Sequence, residues 1–362
     1  MKTLLFKITL LAILAAPVTV SGSNGTLQGK YVKEKTIQKE YNVNSNALLK
    51  VSNSYGTLSL TSWNEDRVVI EVNIKTSGNN EDKVQDRLNE ITVDFEASPE
   101  KVSAKTQFGN KAGSWWKWGK KNKISIQVNY TIKLPVKNSI HLSNDYGAIE
   151  LDRIDGHAKI SCDYGRLEIG ELRGRNNELS FDYTSKSRID YVNSAKIAAD
   201  YSKFTIGKAK DLQINADYTA AVIEKMDNLE YASDYGSLEV MESNNVLGSG
   251  DYFNLKLGTV HGSVDSSADY GSIKIDRMAA DAGNINIKSD YTSIRIGYDP
   301  AYSFDFEISA SNAGVKGTDN FEVSVSREKD KSRYYAGYHG QANSGNLVNI
   351  TSDYGNISFN RN

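Results

Sequence analysis

The residues of this 362-residue chain best placed to do chemistry come in a column. An Asp followed by a Tyr stands at Asp145-Tyr146, Asp163-Tyr164, Asp182-Tyr183, Asp200-Tyr201, Asp217-Tyr218, Asp234-Tyr235, Asp251-Tyr252, Asp269-Tyr270 and Asp290-Tyr291. The intervals are 18, 19, 18, 17, 17, 17, 18 and 21 residues, and Ser54-Tyr55 and Asp353-Tyr354 keep the same frame. A carboxylate beside a phenol at constant spacing has two uses. It can hold a file of cations, as in calcium-binding β-rolls, or it can accept N–H groups at its own corner as an Asx turn does. Carboxylates stacked about 5 Å apart repel by roughly 1 kcal/mol in water, so something must offset them. Ser54 at the Asp position favours the corner role, because a hydroxyl caps a turn but adds little to an ion column. The Gly-rich nonapeptide of calcium β-rolls is missing. The column is therefore read as a structural ladder, with no metal and no cofactor expected.

Catalysis finds no comparable cluster. The four histidines, His141, His157, His261 and His339, are scattered, and Cys162 is the only cysteine. A groove of acids, bases or metal ligands is what a polysaccharide-active β-helix enzyme would need. The chain is read as non-enzymatic, with that enzyme class as the lesser alternative.

A second candidate is a loop carrying three of the four Trp beside five Lys between Gly109 and Lys123. Trp115, Trp116, Lys117, Trp118, Lys120 and Lys121 would suit an anionic glycan, a membrane interface or a protein partner. The competing reading folds the rings back onto the protein and leaves the lysines solvated. Arg333 to His339, rich in Tyr, reads as a loop flanking the last strand.

The elements that position the Asp-Tyr column follow from the residues around it. Counting the Asp as zero, positions +4 and +6 are apolar in most units, as at Ile149 and Leu151, Phe204 and Ile206, Leu255 and Leu257, Ile273 and Ile275. Position +5 is usually polar, so each unit holds a short strand with one buried face. Positions −5 and −3 often repeat the pattern upstream, as at Ile140 and Leu142, and position −1 is small in most units. The unit at Asp182 departs, with Lys186 and Arg188 where apolar residues are due. A one-residue bulge there would bring Ile189 and Tyr191 inward. Position +2 is Gly in six of eleven units and Thr in three. Thr resists positive φ, so Gly is there for fit.

One such unit cannot bury its own apolar face, but stacked units can. The fold expected is all-β: a right-handed parallel β-solenoid of about 18-residue repeats, with a rod roughly 40 Å long over Asp145 to Asp290. An antiparallel meander would need regularly placed Asn-Gly or Asp-Gly turns, which are lacking.

The organisation read from the sequence is a signal peptide over residues 1–22, a β-rich N-terminal cap over 23–135, the regular solenoid over 136–298, and a C-terminal cap with the last repeat over 299–362. The first segment has Lys2, an apolar run and small residues at Ser21 to Ser23, the pattern of a cleaved export signal. Strands are expected around Val68 to Ile74, Ile91 to Phe95 and Ile124 to Leu134, and a helix between Asn80 and Ile91. No stretch of the mature chain is long and apolar enough to span a bilayer. Charge is balanced, 43 Lys plus Arg against 45 Asp plus Glu, which gives nucleic acid no basic footprint. Tyr outnumbers Phe by 21 to 10, which leans towards pleated surfaces.

The export signal, Ser54-Tyr55-Gly56-Thr57-Leu58-Ser59-Leu60 with Trp63, Leu134-Pro135 ahead of the first Asp-Tyr-Gly, and the closing Gly345 to Phe359 together resemble the bacterial putative-adhesin family of exported β-strand-repeat proteins. The resemblance implies an exported β-solenoid and carries over no catalytic residue. The expected function is a non-catalytic interaction or scaffold protein of the cell envelope or surface. Its partner would be an envelope protein or a glycan surface, met through the repetitive face or the Trp/Lys loop. The alternative is a periplasmic sensor or regulator. Its location would be the periplasm, the outer cell surface or the medium.

Overall fold

The computed structural model describes residues 29–109 and 124–362. The export-signal segment and the Trp/Lys loop from Trp115 to Lys121 lie outside the described residues. The rest is nearly all β: twenty-eight strands in one large, open hydrogen-bonded sheet, with one helix over Glu81–Glu90.

Strands that precede the Asp-Tyr corner stack on one another, and strands that follow it stack on one another, always parallel through the array. Ser139–Asp145 pairs with Ala158–Asp163 so that Asp145 faces Asp163, and Val264–Asp269 pairs with Ile285–Asp290 so that Asp269 faces Asp290. After the corner, Ile149 faces Leu167, Leu238 faces Leu255, and Ile273 faces Ile294. In the middle of the array the two runs fuse. Lys203–Asn215 and Ala220–Ala232 are single strands paired from Lys203↔Ala220 to Asn215↔Ala232.

The alternation of the sequence explains the packing. Inward columns such as Leu60, Leu151, Ile169, Ile189, Ile206, Ile223, Val240, Leu257, Ile275 and Ile296 are buried along the whole length. Each fully buried aliphatic side chain of this kind contributes about 1.5–3 kcal/mol. In parallel register a column of like residues touches only its own kind above and below, so the core is continuous although each unit is short.

The irregular unit at Asp182 differs from its expectation. The extra residue is Lys186, at φ 59°, and Ser187 then takes the buried place beside Phe204. Ile189 does face inward, but Tyr191 stays half-buried and it is Val192 that is buried. Gly170 and Asp190 are skipped in the ladder without a change of register, as Asp152 and Gly207 are on the neighbouring rungs, so the next inward residue stands three places on.

Both ends are closed by chain that leaves the array and folds back outside it. Leu48–Ser54 and Leu58–Trp63 form a rung directly against the unit of Asp145, with Ser54 facing Asp145 and Leu58 facing Ile149. The following segment then covers the outer side of that rung. Lys101–Gln107 pairs on Leu48–Ser54, and Ser125–Pro135 pairs on Leu58–Trp63 before meeting Arg67–Gly78 and, through it, Tyr31–Asn42. The helix is started by Asn80, whose side chain accepts the N–H of Lys83 at 3.0 Å, and it buries Val84 and Leu88 with Ile91 just beyond. At the far end Leu347–Asp353 pairs on Ile285–Asp290, and Phe304–Ser311 covers it from outside. Ser332–His339 is a strand here, antiparallel to Phe304–Ser311, and not a loop; Tyr335 packs against the core while its hydroxyl reaches Glu328.

Candidate interaction surface

At every corner the Tyr after the Asp position takes a left-handed backbone, with φ between 49° and 64° from Tyr55 to Tyr354. That conformation costs a residue with a Cβ about 1–2 kcal/mol. It also turns each ring outwards into one file. Tyr55, Tyr146, Tyr164, Tyr183, Tyr201, Tyr218, Tyr235, Tyr252, Tyr270, Tyr291 and Tyr354 stack in sequence, with ring centroids 4.7–5.3 Å apart and planes within 9°. Each is about half exposed, from 41% at Tyr55 to 54% at Tyr146.

The file follows from the pairing. From Tyr55 to Tyr291 each Tyr N–H donates to the carbonyl of the Asp one rung on, as from Tyr201 to Asp217 at 3.0 Å and Tyr218 to Asp234 at 2.9 Å, and Tyr354 donates to Ser311. The backbone therefore repeats at strand spacing, and flat rings mounted on it stack at the same spacing.

The Asp side chains make a second link between rungs. The Asp163 carboxylate accepts the N–H of Asp182 at 3.2 Å. Asp182, Asp200, Asp217 and Asp234 do the same for Asp200, Asp217, Asp234 and Asp251 at 2.9–3.0 Å, and Asp269 does so for Asp290 at 3.2 Å. The partner is the neighbouring corner, where an Asx turn would have used its own. This donor offsets the like-charge repulsion of the column. Among the described residues the Asp145 carboxylate has only the Ser54 hydroxyl, at 3.5 Å. Burial first, and then the charge of Asp163, hold its carboxyl above the usual range.

The inward slot behind each corner is shared by positions −1 and +2. In several units with Gly at +2, the −1 side chain reaches a carbonyl of its own or the adjoining corner: Asn144 donates to Gly56 and Ala148, Ser352 to Gly355, and Cys162 approaches the Gly147 oxygen at 3.5 Å. A Cβ on Gly147 would lie 1.8 Å from the Gly56 oxygen, so the backbones approach too closely for a side chain. In other units a small −1 accompanies a larger +2, although Phe181 stands with Thr184 and Ala268 with Gly271. Ala199 pairs with Ser202, Ala216 with Thr219, and Gly250 with the buried Phe253, and the Ser and Thr hydroxyls bond carbonyls inside. Burial pushes the Cys162 thiol up to about 12.

The ladder hydroxyls make no hydrogen bond to another described residue. They face solvent, and the stacked faces are covered by neighbours, so the surface offers ring edges and hydroxyls. Burial in the stack, then the neighbouring Tyr and Asp, raise the phenols of Tyr164, Tyr201, Tyr235 and Tyr291.

One flank of the Tyr file is the Asp row. The other is the row that follows the corner glycine, where Arg166, Lys186 and Lys203 stand on successive rungs next to Ala148 and Ala220. Arg166 is held by Glu150 at 3.3 Å and Glu168 at 3.2 Å. Lys186 and Lys203 are exposed and make no ion pair among the described residues. A groove of about 660 Å³ opens on this flank beside Tyr55 and Tyr146, floored by Gly147 and Gly165 and reaching Arg166 and Lys186. The histidines lie on separate elements, with His141 beside Lys50 and Lys159, and His261 3.1 Å from Asp281. Among the described residues no group of three or more His, Cys, Asp and Glu is set to hold a metal ion. No helix among them is long and apolar enough to cross a membrane.

No protein-family model matches the chain, and neither does any curated protein. Solved structures do. One, a putative cell adhesion protein from Clostridium sporogenes, is 12% identical over 91% of this chain and 100% of its own, at a TM-score of 0.20. A putative adhesin from Parabacteroides distasonis is 13% identical over 73% of this chain and 93% of its own, at 0.30. A putative lipid binding protein from the same species is 10% identical over 90% of this chain and 96% of its own, at 0.27. The chain is thus similar to bacterial proteins described chiefly as adhesins, at identities and scores that leave function to be argued from its own residues.

Proposed function

We propose that this chain is an exported, non-catalytic interaction protein of the cell envelope or surface, and that it meets its partner along the tyrosine ladder. The proposed body is a right-handed parallel β-solenoid with a repeat of about 18 residues, running over 136–298 between an N-terminal cap over 23–135 and a C-terminal cap over 299–362, after a cleaved signal. The observation that carries the reading is the unbroken file of eleven half-exposed rings. Tyr is enriched at interfaces because one side chain offers apolar area and a polar tip. A periodic apolar stripe of this length is more than scattered surface residues would give.

The stacking narrows the partner. A sugar that packs on aromatic faces finds them covered, because each ring lies against the next. Ring edges and hydroxyls along a line suit a partner that lies lengthwise, such as an envelope protein. The loop bearing Trp115, Trp116 and Trp118 is proposed as a second contact. Its described flanks, Phe108 on one side and Ser125 to Gln127 on the other, adjoin the Tyr55 end of the ladder.

The test uses the labelled exported chain on intact cells. Asn312 sits at the ladder position of the rung beyond Tyr354 with φ 52°, so Asn fits this backbone. A Tyr183→Asn, Tyr201→Asn, Tyr218→Asn variant should stay folded by circular dichroism and lose about tenfold or more in binding. Equal binding by the variant would remove the ladder as the partner surface. Protease shaving of intact cells then separates surface display from retention in the periplasm.

A further inference from the structure

Building on the ladder as the partner surface, we infer that the partner is a second copy of this chain, paired about a twofold axis parallel to the Tyr stack. Three observations carry it. The first is area. Eleven half-exposed Tyr side chains offer roughly 1,000 Å², and a stable interface needs about 800 Å² from each partner. The second is shape, since the Tyr file is a ridge and a groove of about 660 Å³ lies beside its first rungs, from Tyr55 to Lys186, on the corner-glycine side. A ridge beside a groove is self-complementary, as an isologous contact requires.

The third is charge, and it sets the direction. On the rungs of Tyr164, Tyr183 and Tyr201 the ridge carries Asp163, Asp182 and Asp200 on one flank and Arg166, Lys186 and Lys203 on the other. A twofold axis parallel to the stack keeps each rung at its own level and exchanges the flanks. The carboxylate side of each ridge then lies along the cationic side of the other, rung for rung. An axis across the stack would instead set Asp row against Asp row, which like charges oppose. Lys186 and Lys203 are exposed without an ion pair among the described residues, and this arrangement supplies them with one.

Analytical ultracentrifugation of the exported chain tests the pairing. The wild type should sediment as a dimer whose dissociation constant rises with salt. Lys186→Asp with Lys203→Asp should raise that constant about tenfold while leaving the thermal midpoint of the monomer in place, because neither lysine touches the core. Tyr201→Asn with Tyr218→Asn should raise it as well. A wild-type chain that stays monomeric, or a dimer indifferent to the charge reversal, overturns the inference. Binding to cells whose own copy of the gene is deleted separates this from the broader reading. Tyr-dependent binding that disappears on those cells supports a second copy as the partner. Tyr-dependent binding that persists overturns the second copy and keeps the ladder as a surface for something else, and binding that never depends on Tyr removes both.

Discussion

Phe108 meets Tyr55 edge-on, with ring centroids 5.6 Å apart and planes at 89°, and so ends a stack in which every other contact is face to face. At the opposite end Asn312 takes the left-handed corner beyond Tyr354, and its side chain donates to Asp353 at 3.1 Å. The ladder is finite at both ends because the capping segments, which are not repeats, supply a residue that cannot be stacked upon. An open stack of aromatic rings over open strand edges would add further copies end to end.

Phe108→Ala should therefore act locally. It removes an edge-to-face pair worth about 0.5–1.5 kcal/mol. In an array where each unit touches only its neighbours, that loss falls on the end. Amide exchange should quicken in Thr92–Ala97 and Lys101–Gln107 while the rungs from Lys203 to Ala232 keep their protection. A uniform loss of protection would mean that the caps and the array unfold as one unit.

The Asp column offers a test of what its oxygen does. Asp200 accepts the N–H of Asp217 at 3.0 Å. Asp200→Ala leaves that donor without its partner and should cost about 1 kcal/mol in urea unfolding. Asp200→Asn keeps an acceptor oxygen and removes one charge from a row of like charges, so it should be neutral or slightly stabilising. If Asn destabilises as much as Ala, the charge matters and the hydrogen bond does not.

The Tyr column separates backbone from ring. Tyr218 has φ 51° and stacks on Tyr201 at 4.8 Å and Tyr235 at 4.9 Å. Asn, Gly and Ala all lose two ring contacts, each worth about 0.5–1.5 kcal/mol. Ala also keeps the left-handed penalty of about 1–2 kcal/mol that Gly escapes and Asn tolerates best among the polar residues. Stability should run Tyr first, then Asn and Gly, with Ala lowest in the same denaturant series. An Ala variant as stable as the Gly variant would show that the corner relaxes out of the left-handed region.

Most of this architecture is written in single columns of the sequence. The Asp-Tyr frame, the apolar pairs at +4 and +6 such as Leu255 and Leu257, and the helix ahead of Ile91 can each be read without reference to another segment. What escaped is relational. Gly250 and Phe253 share one inward slot, as do Ala216 and Thr219, and only the two columns read together reveal how those residues fill it. The Asp carboxylates bond the next corner because parallel register brings that N–H within reach, and no residue within one unit announces it. Val192, not Tyr191, completes the core at the irregular unit because the rungs skip one residue after the second inward position, as Ile169 with Leu172 and Ile206 with Ala209 also do. The outside position of the caps is also invisible locally, since Leu58–Trp63 and Ser125–Pro135 are paired strands far apart in the chain.

Asp145 gives the ladder a pH dependence whose sign can be worked out. Its folded carboxyl is held above the ordinary value of about 3.9 by burial and then by the Asp163 charge. The folded chain thus holds that proton more tightly than the unfolded chain does. Its contribution to stability is present below the unfolded value and is lost as pH rises through the raised folded value. At neutral pH the ionised group therefore weakens the fold, by less than about 1 kcal/mol because it is partly exposed and screened. Asp145→Asn should raise the urea midpoint at pH 7, and the gain should shrink towards pH 3, where the wild-type carboxyl is protonated. An Asn variant less stable than wild type at pH 7 would show that the charge is wanted there. That result would revive a bound cation between Asp145 and Asp163 as the element that offsets the column at this end.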